Sequence, residues 1–249
     1  REGAVIVGGR LRSNSIINIQ ANNNIVLTSD ISSADINGSI SLNTVRGNIV
    51  TRSIDTAPVN ITASENIRLT ASRDLTVGNL NAATVNASSS NGSVATGAIA
   101  TTGDVSIVAG QQISTAAIIV NPVRVDRTPT VNLNARNDIS VASINAPGGN
   151  VNIETPNFVR ITDTFLNRNG TPVSISTVSG NQQGSVTINH GGGNTNPPTP
   201  FVIGNARING TAGAIDSGNI INITPPTPTP VTPTPTPVTP TPTPVTPTP

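Results

Sequence analysis

The sequence predicts an all-β protein: a right-handed parallel β-helix (β-solenoid) of about seven to nine coils, followed by an extended polyproline II tail. Three observations lead there. An apolar-x-apolar pair recurs along the chain, and further apolar residues follow it at fixed offsets. Aromatic residues make up 1% of the chain and charged residues 10%, far below an ordinary globular surface. At Pro225 the composition changes abruptly to Pro and Thr.

The recurring pair occurs at Ile17-Asn-Ile19, Ile40-Ser-Leu42, Val59-Asn-Ile61, Val105-Ser-Ile107, Val131-Asn-Leu133, Val151-Asn-Ile153 and Val173-Ser-Ile175. A second apolar position follows eight or nine residues later and a third five or six after that. The triplets are Ile17/Ile25/Ile31, Ile40/Ile49/Ile54, Ile67/Leu75/Leu80, Val85/Val94/Ile99, Val105/Ile113/Ile118, Val131/Ile139/Ile144 and Val151/Val159/Phe165. Fixed inner spacing with variable joins is the pattern of a coil that carries loop insertions. The residue before the second position is usually a turn former: Asn24, Asn48, Asp74, Gln112 and Asp138. Short alternating runs of Val, Ile and Thr bounded by Asn, Asp and Gly read as strands. One unit of three short strands cannot bury its own face, so successive units must stack. At ~4.8 Å per coil the stack is a rod roughly 40 Å long.

The composition follows from stacking. Each position meets its equivalent one strand spacing away, so like charges repel and Ser, Thr and Asn suit the outward columns. Aliphatic side chains fill a narrow lumen better than rings do. Asn at a bend tolerates tight backbone and is expected to bond to the Asn of the next coil. An antiparallel sandwich also fits short strands, but the fixed offsets and the lack of paired hairpin signals oppose it. The domain reading is a solenoid over 1–200, an irregular last coil or cap over 201–224 with strands at Ala206–Ile208 and Ile220–Ile223, and a spacer over 225–249. In that spacer PTPTPVT repeats from Pro226, Pro233 and Pro240. Proline excludes helix and central strand, leaving polyproline II. Arg1 at the start and a repeat cut at Pro249 read as a segment of something longer.

Several chemistries are excluded. There is no cysteine for a disulfide or thiolate site, and one histidine cannot make a two-imidazole site. No apolar run is long enough to span a bilayer. A net charge of +1 offers no footprint for nucleic acid. His190-Gly191-Gly192-Gly193 is like an oxyanion-hole segment but lacks a G-x-S-x-G partner, so the glycines read as a flexible bend after the strand Val186–Asn189. Thr28, Thr51, Thr70, Thr96 and Thr115 occur singly, not in the paired ranks of an ice-binding face. The acids fall mostly at bends, and only Asp30 and Asp35, with Arg52 or Asp55, offer a weak catalytic grouping. No cofactor or metal is called for. One long join, 120–129, gathers Arg124, Asp126 and Arg127, the candidate contact loop. A groove with three or more clustered charged groups would sink the stalk reading, and a bland polar surface would sink the enzyme. Sequons such as Asn209-Gly-Thr211 arise by chance in this composition.

Gly103-Asp-Val-Ser-Ile-Val-Ala-Gly-Gln-Gln-Ile-Ser-Thr115 resembles a repeat of filamentous-haemagglutinin-like proteins of cyanobacterial type. So do 163–177, Ser185-Val-Thr-Ile-Asn-His-Gly-Gly-Gly193, 199–204 and 209–215. The resemblance implies a β-helical passenger of a two-partner-secretion protein, exported by an outer-membrane transporter that reads an N-terminal domain outside this chain. It implies a secreted or cell-surface location, a following caspase-like peptidase domain in many members, and no catalytic residue within this segment. The expected function is a non-catalytic structural or adhesive segment, whose partners are host, matrix or cell-surface glycans or proteins. A self-assembling fibre subunit with end-to-end contacts and a carbohydrate-active β-helix enzyme are the alternatives.

Overall fold

The computed structural model describes residues 3–33, 35, 37–51, 59–122, 127–180, 184–195 and 197–224. These residues form strands, turns and bends, and among them there is no helix. The strands fall into three sheets, which run along the molecule as three faces. Each coil contributes one strand to each face in turn, and its neighbours in a face come from the coils before and after. The molecule is a parallel β-helix.

The register is one continuous stack per face. On the first face Ile17, Ile40, Ile67, Val85, Val105, Val131, Val151, Val186 and Ile221 are successive partners. On the second face the column is Val5, Ile25, Ile49, Leu75, Val94, Ile113, Ile139 and Val159. On the third it is Leu11, Ile31, Ile61, Leu80, Ile99, Ile118, Ile144 and Ile175. Among the described residues this makes eight complete three-strand coils, starting at Ile17, Ile40, Ile67, Val85, Val105, Val131, Val151 and Val186, between partial coils at either end. The three columns point inward and merge into one aliphatic core.

Two triplets read from spacing are corrected. The third-face partner of Ile31 and Leu80 is Ile61, not Ile54, which lies outside the described residues. Ile61 follows Ile49 by twelve residues instead of five or six, so the nearest isoleucine is not the stacked one. The next correction concerns Phe165. It lies in a short strand, Phe165–Leu166, that pairs antiparallel with Pro172–Ser176. Ile175 takes the lumen position instead, fully buried below Ile144. Val59-Asn-Ile61 and Val173-Ser-Ile175 therefore belong to the third face, although both look like first-face pairs.

The last part of the chain continues the helix. Gly210–Thr211, Ala214–Asp216 and Ile221–Thr224 stack in parallel on the second, third and first faces. Ala206–Ile208, expected as a strand, is a bend; the strand before it is Val202–Ile203, and it pairs beside Gly210–Thr211. The glycines after His190 include two in backbone that favours glycine. Gly192 and Gly193 hold φ of 68° and 75°, and a Cβ on Gly193 would sit 2.4 Å from the Phe158 ring. The Thr/Pro tail from Pro225 lies outside the described residues.

Candidate functional site

Corners explain where the polar groups go. A backbone N–H at or just before the start of several strands meets the side-chain oxygen of an Asn or Asp of the preceding coil. Asn48 N donates to Asn24 Oδ1, Asp74 N to Asn48 Oδ1, and Ser93 N to Asp74 Oδ1, each at 2.8–2.9 Å. The other two corners do the same: Asn60 N donates to Asp30 Oδ1, Ala98 N to Asn79 Oδ1, and Thr130 N to Asp104 Oδ1. The expected Asn-to-Asn side-chain bonding is thus mainly side chain to backbone. Outward columns show the direct kind, as where Asn152 Nδ2 donates to Asn132 Oδ1 at 2.9 Å.

The third face carries a trough of about 450 Å³ along its first five rungs. Its walls follow from the register. Residues one before and one after each inward Leu or Ile both point outward, giving two parallel columns. One column runs Arg10, Asp30, Asn60, Asn79, Ala98; the other runs Arg12, Ser32, Thr62, Asn81, Ala100. Five rungs at ~4.8 Å extend about 19 Å. Arg10 and Arg12 are exposed, and neither forms an ion pair among the described residues. Asp30 is half-buried and spends one carboxylate oxygen on the Asn60 N–H. The trough therefore gathers three charged groups at one end, which meets the criterion set against a plain stalk, with small hydroxyl, amide and methyl groups beyond. It contains one carboxylate, so a pair of acids flanking a glycosidic bond is not assembled from its lining. Asp35 is not in that lining, and Arg52 and Asp55 lie outside the described residues.

A second hollow, about 340 Å³, is built by the insertions of the seventh coil. Phe165 and Leu166 of the hairpin, with Pro147 and Val178, form its apolar side. Asp216 faces it, with Oδ2 bonded to Asn167 Nδ2 at 2.8 Å. Arg168 reaches across toward Gly180, 3.5 Å from where a Cβ there would lie.

The predicted contact loop divides. Arg124 and Asp126 lie outside the described residues. Arg127 turns back onto the coil, its Nη2 2.6 Å from Asp104 Oδ2. Both side chains are about half exposed, at 53% and 46%, so this pair adds little stability and serves the Asp104 corner. Among the described residues no three His, Cys, Asp or Glu converge as metal ligands. The trough is the feature that spacing alone did not reveal. Its signal was present in Arg10-Leu11-Arg12, whose i, i+2 arginines flank an inward leucine.

No family model, curated protein or solved structure matches the chain. The parallel β-helix is therefore established from its own register, and function has to be argued from its surfaces.

Proposed function

We propose that this chain is a non-catalytic β-solenoid segment of a bacterial surface or secreted protein, working outside the cell as a stiff carrier of attachment surfaces. The observation that carries this reading is the repetition of the outward columns. On the first face one column reads Asn18, Ser41, Arg68, Asn86, Ser106, Asn132, Asn152, Thr187, Asn222 through nine stacked rungs. Such a column offers hydrogen-bonding groups at constant pitch over tens of ångströms, which suits contact with other extended molecules. The trough adds a shaped, charged place on the same rod, so this is a carrier with a binding surface rather than a bare stalk. The resemblance to filamentous-haemagglutinin-like passengers fits this reading, and on it the segment is exported by a two-partner transporter and displayed at the cell surface.

The test is to treat intact producing cells with protease and probe for this segment, then add purified segment to an adhesion assay. Loss of the segment on intact cells, with competition of adhesion by the purified chain, supports the proposal. A segment protected until the cells are lysed would refute it.

A further inference from the structure

We propose that the trough on the third face binds an extended acidic polysaccharide, with Arg10 and Arg12 holding its carboxylates. This rests on the attachment reading above and gives it a ligand class. Arg10 and Arg12 flank Leu11 and point to the same side, at the mouth of the trough. Both residues are exposed and neither forms an ion pair among the described residues, and a guanidinium fork matches a planar oxyanion. The chain is sparsely charged, so two neighbouring arginines without an ion pair among the described residues, set against the single carboxylate of Asp30, leave this end of the trough net positive. Asp30, the one acid in the lining, keeps an oxygen beyond its bond to Asn60 N, and sugar hydroxyls can donate to it.

The rest of the trough selects for shape. Ser32, Thr62 and Asn81 present a hydroxyl, a hydroxyl and an amide on consecutive rungs. A ligand that itself repeats along its length meets equivalent contacts at each step, whereas a compact small molecule would use one rung. An extended peptide is less well served. It gains affinity from unpaired strand backbone, and of the five strands under this trough only the end strand, Leu11–Ser13, has a side without a partner among the described residues; the other four are paired with the coils on both sides. Side-chain hydroxyls, amides and guanidiniums are what remains, and they match sugar hydroxyls and uronate carboxylates.

The experiment is calorimetric titration of the full chain with hexagalacturonate, neutral xylohexaose and hexaglutamate. It is run on the native chain, on the double variant Arg10→Gln/Arg12→Gln, and on Arg207→Gln, an exposed arginine of the last coil outside the trough, as a distant control. A circular dichroism spectrum and unfolding midpoint show that each variant is folded. Expected is hexagalacturonate binding that weakens with salt, falls about tenfold or more in the double variant and is unchanged in Arg207→Gln. No binding of hexagalacturonate, or equal binding by the folded double variant, overturns the proposal. Xylohexaose binding alone would overturn the acidic ligand and leave attachment standing. Hexaglutamate binding as tightly through the same arginines would overturn the polysaccharide assignment. If no probe binds and the purified chain also fails to compete for adhesion, both readings fall.

Discussion

His190 ends a first-face strand with its ring turned inward, 5% exposed. Its partner is Asn209, 2% exposed, at 3.1 Å from Nδ1. The orientation of that amide is settled by its other bonds: Oδ1 accepts from Val159 N at 3.0 Å and Nδ2 donates to Thr199 O at 3.0 Å. Nδ2 therefore also faces His190, so Nδ1 accepts and the neutral ring carries its proton on Nε2. Burial disfavours the charged ring and lowers its pKa below the usual 6.5. Between the folded pKa and 6.5 the unfolded chain binds more protons, so stability rises with pH there. The contribution is complete above 6.5 and is lost as pH falls through the folded pKa. Urea unfolding from pH 8 to pH 4 should show a flat midpoint above neutrality and a decline below 6.5, and His190→Gln should remove that part of the slope. Asn209→Ala, which breaks three bonds at once, two of them buried, should cost about 2–3 kcal/mol in the same measurement. Arg127→Ala should change stability by less than about 1 kcal/mol, because its ion pair with Asp104 is half exposed.

At the scale of strands and corners, two requirements repeat: a small aliphatic pointing in and a corner that lets the next coil pass. The inward requirement was legible as spacing, because Ile25, Ile49, Leu75, Val94, Ile113, Ile139 and Val159 sit one coil apart in the same column. Ile113→Ala removes a side chain that is 1% exposed, and should cost about 2–5 kcal/mol in a denaturant titration. The corner requirement was only half legible. The Asn and Asp residues were visible, but their task of capping the next coil's N–H depends on which residue is stacked above, which the sequence does not print. Gly184 shows the same dependence. A Cβ there would lie 1.6 Å from the carbonyl oxygen of Gly149, thirty-five residues earlier and one coil below. Gly184→Ala should destabilise the chain by about 2 kcal/mol or more, because backbone has to move. Gly8→Ala, with nothing within 4 Å of the added carbon, is the control expected to be near neutral.

As a whole molecule the chain is a stack in which each coil touches its neighbours and little else. Stability is then close to a sum of coil and interface contributions. Small-angle scattering should give a cross-section that stays constant along a solenoid roughly 45 Å long, about nine rung spacings of ~4.8 Å. A compact sphere would contradict the architecture. The insertions break the regularity at defined places, and there the sequence misleads. The spacing rule puts Phe165 in the lumen because it is six residues after Val159. The structure shows a hairpin, which places Phe165 on the wall of a hollow and brings Ile175 inside. A rule based on distance along the chain cannot tell an inserted hairpin from the next strand of the coil.

The sequence by itself determined the period, the inward columns and the scarcity of charge, because in a stacked coil each of these is a local condition repeated at every rung. Tertiary structure alone decided which residues become neighbours across an insertion. It buried Asn209 and His190 together, although they are nineteen residues apart and each reads as polar surface. It also aligned Arg10 and Arg12 with Asp30, Asn60 and Asn79 in one trough. The physical reason is that stacking sets contacts at a fixed ~4.8 Å step, whereas the chain length between stacked residues varies with every loop.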